Sequence, residues 1–234
     1  MTTITSFPVW QRQANKMFQI GTEPYSVAIL YAFASYIISK QNHEGIILNI
    51  SLPTDGKKYK TSNAAKVAYS VWGDARYLQT TSGFTEREPE SIKRDMQEII
   101  HNKELFLIES TMPLYMLSNV NCTNIIQIDC ANPIDDDTLN LMLVNRTYAG
   151  DTFQGLCEQP DNADWLESAW QHWYGTIQKL TRLSVKYTSW IDLCAGVACA
   201  SQLLSESKML EFSPERIMDY LLKQVVQNYQ KAIN

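Results

Sequence analysis

Asn119 to Cys130 reads NVNCTNIIQIDC, an asparagine-rich lead that passes directly into the apolar run around Gln127. β-Branched residues in a short run bounded by polar ones mark a strand, here Ile125 to Ile128. The same signature recurs upstream in GIILNISLP, Gly45 to Pro53, where Gly and Pro bound the run and Asp55-Gly56 turns the chain after it. Leu105 to Ile108 reads as a further strand. Downstream, LNLMLV, Leu139 to Val144, follows the turn-rich NPIDDD. This spacing predicts a hairpin between 125–128 and 139–144, with an acidic, solvated tip over Asn132 to Asp137. Three adjacent aspartates there lack the spaced ligands of a calcium loop.

Helices surround these strands. YSVAILYAFASYIIS, Tyr25 to Ser39, is apolar on every side and shorter than the ~20 residues that cross a bilayer, so it reads as a buried core helix. Thr22-Glu23-Pro24 opens it, with Pro suited to the first turn, and it is expected to end near Asn42. Glu88 to His101 places Ile92, Met96, Ile99 and Ile100 on one face of a second helix. Asn63 to Leu78 stays open between helix and strand plus loop, because Gly73 interrupts it. From Asp161 onward the pattern is helical, with Ser213 and Pro214 starting the last helix. Within this part Trp165, Trp170, Trp173 and Tyr174 resemble a recognition patch, but Trp165, Trp173 and Ile177 fall near helical spacing, which favours core or subunit interface over a ligand box. Strands mixed with helices in no repeating rhythm define an α+β protein: a mixed sheet packed with several helices, a helical C-terminal third, and a single domain over residues 1–234.

Composition bounds the function. A 45% apolar, 19% charged chain with formal net charge −5 has an ordinary globular profile and no general nucleic-acid grip. The N-terminus MTTITSFPVWQRQ has no basic segment followed by an apolar run, so no secretory signal and a cytoplasmic location are expected. Cys122, Cys130, Cys157, Cys194 and Cys199 form no CxxC pair, which argues for reduced thiols and against a zinc ribbon. His43, His101 and His172 are scattered, and no metal site is expected. The glycine-rich phosphate loops, HExxH and GxSxG are missing.

What remains is a group along the expected hairpin and the loop beyond it: Cys122, Asn124, Gln127, Asn145, Arg146, Thr147, Asp151 and Asn162. A cysteine attacks only as thiolate, which requires a nearby cation or donor, and Arg146 is the cation on offer. Its guanidinium also suits a phosphate, with the Thr147 hydroxyl as a further donor. On local sequence alone, buried packing is the commoner role for a cysteine such as Cys122, and a surface ion pair, here with Asp151, the commoner role for an arginine beside a strand end such as Arg146.

The order of these residues resembles the catalytic half of the thymidylate synthase superfamily, in particular its phage deoxycytidylate hydroxymethylase branch. CTNIIQ sets Cys122 five residues before Gln127, LNLMLVNRT returns Arg146-Thr147, GDTFQGL supplies Asp151 and Gly155, and PDN supplies Asn162. AYSVWGD is similar to the family's Tyr-Gly-x-x-Trp region. The resemblance implies a cytoplasmic homodimer in which Cys122 adds to C6 of a pyrimidine nucleotide, activating C5 toward the one-carbon unit of methylenetetrahydrofolate. It further implies Arg146 and Thr147 on the phosphate, Gln127 and Asp151 ordering the site, Asn162 reading the base, and Glu23 in the proton-relay position. The family's arginine pair is not found near Lys103-Glu104, and its Gly-Asp-x-His-x-Tyr segment is replaced by YTSWIDLC. Two further classes fit the sequence: a non-enzymatic viral or phage interaction and assembly protein, and a catalytically inactive nucleotide-binding relative.

Overall fold

The computed structural model describes residues 6–51, 63–82, 89–110, 122–130 and 134–233. The Asp55-Gly56 turn and the Asn132 end of the expected hairpin tip lie outside them. Within them the chain runs α1 (Phe7–Lys16), α2 (Glu23–Ile38), β1 (Ile46–Ser51), α3 (Ala64–Trp72), β2 (Gln79–Ser82), α4 (Pro89–His101), β3 (Leu105–Ser110), β4 (Ile125–Asp129), α5 (Asp136–Val144), α6 (Tyr148–Cys157), α7 (Pro160–Thr181), α8 (Thr188–Glu206) and α9 (Pro214–Ile233). The α+β class and the helical C-terminal third are as the sequence predicts.

The four strands lie in the order β2-β3-β1-β4. The expected mixed sheet is instead parallel in every described pairing: β2 with β3, β3 with β1, and β1 with β4. A parallel sheet must be covered on both faces, and side-chain alternation divides the strands accordingly. Ile46, Leu48, Ile50, Leu105, Leu107, Ile126 and Ile128 join the main core, which α2, α3 and α8 also build. Ile47, Ile108 and Ile125 face the other way and pack on Ile92, Met96 and Ile99 of α4.

The hairpin is the main correction. Leu139–Val144 is not a returning strand but part of α5. The acidic stretch explains why: Asp135 caps the helix, its side chain accepting from the Thr138 N–H at 2.8 Å, and Asp136 and Asp137 sit in the first turn where the helix dipole favours carboxylates. Leu139 and Met142 then bury one face at a helical step. The free edge of β4 is met by α9 instead, where Asn228 Oδ1 accepts from the Gln127 N–H at 2.9 Å and Asn228 Nδ2 donates to the Gln127 carbonyl at 2.8 Å. An unpaired strand edge is thereby closed by one side chain.

α2 packs on both α3 and α8, and all its residues but Glu23 are buried. α8 approaches closely enough at Gly196 that a Cβ there would stand 2.6 Å from Ile38 Cγ1. The open segment from Asn63 resolves as helix α3, stopped by Gly73, whose φ of 71° forms a left-handed cap and whose N–H donates to the Tyr69 carbonyl at 2.7 Å. No helix among the described residues is long and apolar enough to cross a membrane.

Candidate functional site

In open parallel sheets, ligands bind beyond the carboxyl ends of the strands, where the strand order reverses. Here β1 lies between β3 and β4, so the chain leaving β1 returns at β2 on one edge while the chain leaving β3 returns at β4 on the other. The carboxyl ends of β1, β3 and β4 bring polar residues together: Ser51 stands opposite both Ser110 and Asp129, and Glu109 stands opposite the apolar Ile50.

Glu109 projects on the main-core face. It is 3% exposed, and its Oε1 accepts from the Asn63 N–H, at the threshold of α3, at 2.7 Å. Its Oε2 is buried and, among the described residues, has no hydrogen-bond partner. A carboxylate oxygen in that condition carries a desolvation cost that a cation or a donor would offset. Tyr25 at the start of α2 faces the same place; burial first, then Cys130 and Glu109 nearby, push its phenol well above the ordinary range.

On the opposite face a chain of polar side chains crosses from β1 to β4. Asn49 Nδ2 donates to Gln127 Oε1. Gln127 Nε2 donates to Ser51 Oγ at 2.7 Å and to Asp129 Oδ1 at 3.3 Å, and Ser51 Oγ donates to Asp129 Oδ1 at 2.8 Å. Asn49, Ser51 and Gln127 are buried, while Asp129 is exposed. Asn49 Oδ1 is left without a partner among the described residues.

The residues expected from the sequence distribute over separate places. Gln127 belongs to the carboxyl-edge network just described. Glu23, at the N-terminus of α2, pairs with Arg216 of α9 at 2.8 Å and accepts from the Gly21 N–H at 2.9 Å, which makes it a brace between elements. It also lies close enough to Tyr220 of α9 to act on that phenol together with Cys130 and Asp129. Arg146 and Thr147 sit at the α5–α6 junction over Gly73, at the far end of α3. Ten residues of helical rise separate Gly73 from Asn63, roughly 15 Å. The Arg146 guanidinium donates to the Leu143 carbonyl at 3.3 Å, and Thr147 takes a φ of 78°, a costly conformation for a β-branched residue. Asp151 accepts from Arg76 at 3.0 Å, and Asn162 Nδ2 donates to the Leu156 carbonyl at 2.9 Å. With α5 in place of a strand, Arg146 is not returned alongside Gln127.

Cys122 begins a short 3-10 turn at the amino end of β4, and its side chain lies outside the described residues. The next two residues fasten this turn: Ser189 Oγ donates to the Thr123 carbonyl at 2.9 Å, and Asn124 Nδ2 donates to the Gly45 carbonyl at 2.8 Å. The other four cysteines are buried thiols, and burial pushes Cys157 and Cys199 up to about 12, far from nucleophilic use. Trp170 is in the core, with Trp165, Trp173 and Tyr174 packed against it. Among the described residues no group of three His, Cys, Asp or Glu side chains converges as a ready metal site.

Asn49, Ser51, Asn63, Glu109 and Asp129 escaped the sequence reading. For all but Asn63, which precedes α3, the signal was a polar residue inside or just after each β-branched run, in LNIS, LIES and IQID. It gains meaning only once the strands are known to be parallel and their carboxyl ends adjacent.

The site is thus a buried acid and a polar network at the carboxyl edge of a parallel sheet. No protein-family model matches this chain, and no curated protein matches it. A solved structure described as SCCmec type IV Cch, an active helicase, has a similar fold, with a TM-score of 0.67 at 10% identity over 93% of this chain and 50% of that one. The chain therefore spans half the length of that structure, and at this identity the likeness concerns the fold.

Proposed function

We propose that the carboxyl edge of the sheet binds the phosphates of a nucleotide together with a divalent cation. The observation that carries this reading is Glu109, a buried carboxylate with one oxygen capping the approach to α3 and the other unpartnered among the described residues. The N-terminus of a helix that follows a parallel strand favours phosphate, but an anion beside Glu109 needs a positive charge between them. Magnesium fits that demand, since it is commonly held by one or two carboxylates plus substrate phosphates rather than by an all-protein cage. In sequence, the segment between Ser51 and Asn63 also holds Lys57, Lys58 and Lys60, although it lacks the glycine spacing of a phosphate loop. The likeness to a structure named a helicase points the same way at the level of the fold.

A thermal-shift series tests the reading. Nucleoside triphosphates with magnesium are expected to raise the melting temperature in a concentration-dependent way, and omission of magnesium is expected to weaken the effect. No shift with any of the four common triphosphates, with or without magnesium, contradicts it.

Pyrimidine C5 transfer through Cys122 is the second proposal, supported by the five-residue step to Gln127 and by the ordered position of that amide. Arg146, Thr147 and Asp151 do not converge on Gln127 among the described residues, so no step through methylenetetrahydrofolate is derived. An intact-mass measurement with a 5-fluoropyrimidine nucleotide and the folate tests it: an adduct on Cys122 supports transfer, and its absence removes the proposal.

A further inference from the structure

Asp129 is the point on which the buried polar network converges. Asn49, fully buried in the sheet, orients Gln127; Gln127 and Ser51 then both donate to the same atom, Asp129 Oδ1. Polar groups held in a low-dielectric sheet interior are expensive unless they are mutually satisfied. Three buried side chains are thus engaged in fixing one exposed carboxylate. With Oδ1 pinned by two donors, the plane of the carboxylate is set and Oδ2 presents its lone pairs at the strand end in one direction. Among the described residues Oδ2 has no hydrogen-bond partner. Tyr220 of α9 lies within electrostatic reach of the same group, its phenol pushed up by burial first and then by Cys130, Glu23 and Asp129.

A carboxylate repels phosphate and accepts from hydroxyl or amine donors. Glu109 and Asp129 flank β1 on its two sides and project from opposite faces of the sheet, so their strands lie roughly 10 Å apart at the usual spacing and their carboxylates farther apart still, across the carboxyl edge. That separation places Asp129 away from the phosphate end of a nucleotide and toward its uncharged part. We infer that Asp129 accepts hydrogen bonds from the nucleoside of the bound nucleotide, through a ribose hydroxyl or a base amine, and so sets nucleoside specificity at this edge. The inference rests on the phosphate reading above.

Calorimetric titration of the whole chain with magnesium and either inorganic tripolyphosphate or ATP separates the two. Asp129→Ala is expected to bind tripolyphosphate as the wild type does while losing ATP affinity by about tenfold or more, the cost of one charged hydrogen bond. Asp129→Asn, which keeps one acceptor oxygen, is expected to recover part of the loss and guards against a folding defect. If the wild-type preference for ATP disappears with 2′-deoxy-ATP, the donor is the ribose hydroxyl; if it disappears with ITP, the donor is the base amine. Unchanged ATP affinity in Asp129→Ala overturns the role of Asp129 and leaves the phosphate site standing. Failure of the wild type to bind either probe overturns the phosphate reading itself, and the role of Asp129 falls with it.

Discussion

The N–H of Asn63 donates to Glu109 Oε1 at 2.7 Å, tying the entry of α3 to the carboxyl end of β3. The bond occupies one carboxylate oxygen and leaves the other buried and, among the described residues, unsatisfied. Glu109→Gln keeps an acceptor for Asn63 and removes the uncompensated charge. It is expected to stabilise the ligand-free chain by about 1–2 kcal/mol in urea unfolding, because an unsatisfied buried charge costs more than the neutral amide that replaces it. A loss of stability would show that the carboxylate charge is already compensated.

Asp192 on α8 supplies a pH dependence. It is 7% exposed, and burial first, then the charge of Glu44, raise its carboxyl to about 7 from the ordinary 3.8. Because the folded value lies above the unfolded one, its contribution is fully present below the unfolded value and is lost as pH rises through about 7. Asp192→Asn removes that loss. Its stability advantage over the wild type is expected to grow between pH 5 and pH 8, by at most roughly 1.4 kcal/mol per unit. Equal differences at the two pH values in urea unfolding would contradict the assignment.

Arg216 staples α9 to the connection between α1 and α2. It pairs with Glu23, donates to the Gln19 carbonyl at 3.1 Å and also reaches the Phe18 carbonyl. Both partners of the ion pair are partly shielded, with side-chain exposures of 30% and 16%. Arg216→Ala is expected to cost about 1–3 kcal/mol in urea unfolding, because Glu23 and two carbonyls lose their donor together. Arg216→Lys keeps the charge but not the planar fork, and is expected to recover only part of it. A cost below about 0.5 kcal/mol, the scale of an exposed pair, would show that the staple is merely a surface contact.

Much of this architecture was legible from local pattern. The apolar run of Tyr25 to Ser39, the β-branched strands at Gly45, Leu105 and Ile125, and the Pro-started helices each carry a signal within a few residues. Strand pairing was not legible, because parallel partners are set by long crossovers and not by turns. The six residues Leu139 to Val144 suit a strand by composition, and only the capping geometry of Asp135 makes them helix. That one substitution of helix for strand separates Arg146 from Gln127, and with it the expected site. Glu109 and Asp129 were invisible for the complementary reason: an acid ending a strand acquires meaning from its neighbours across the sheet.

If Glu109 holds a cation that bridges to phosphate, removing its charge must weaken nucleotide binding. Calorimetric titration of Mg·ATP into the wild-type chain and Glu109→Gln measures this. Binding by the wild type that needs magnesium and falls by about tenfold or more in Glu109→Gln, on a chain at least as stable, is the predicted result. Equal affinity of the two proteins, or binding indifferent to magnesium, would contradict it.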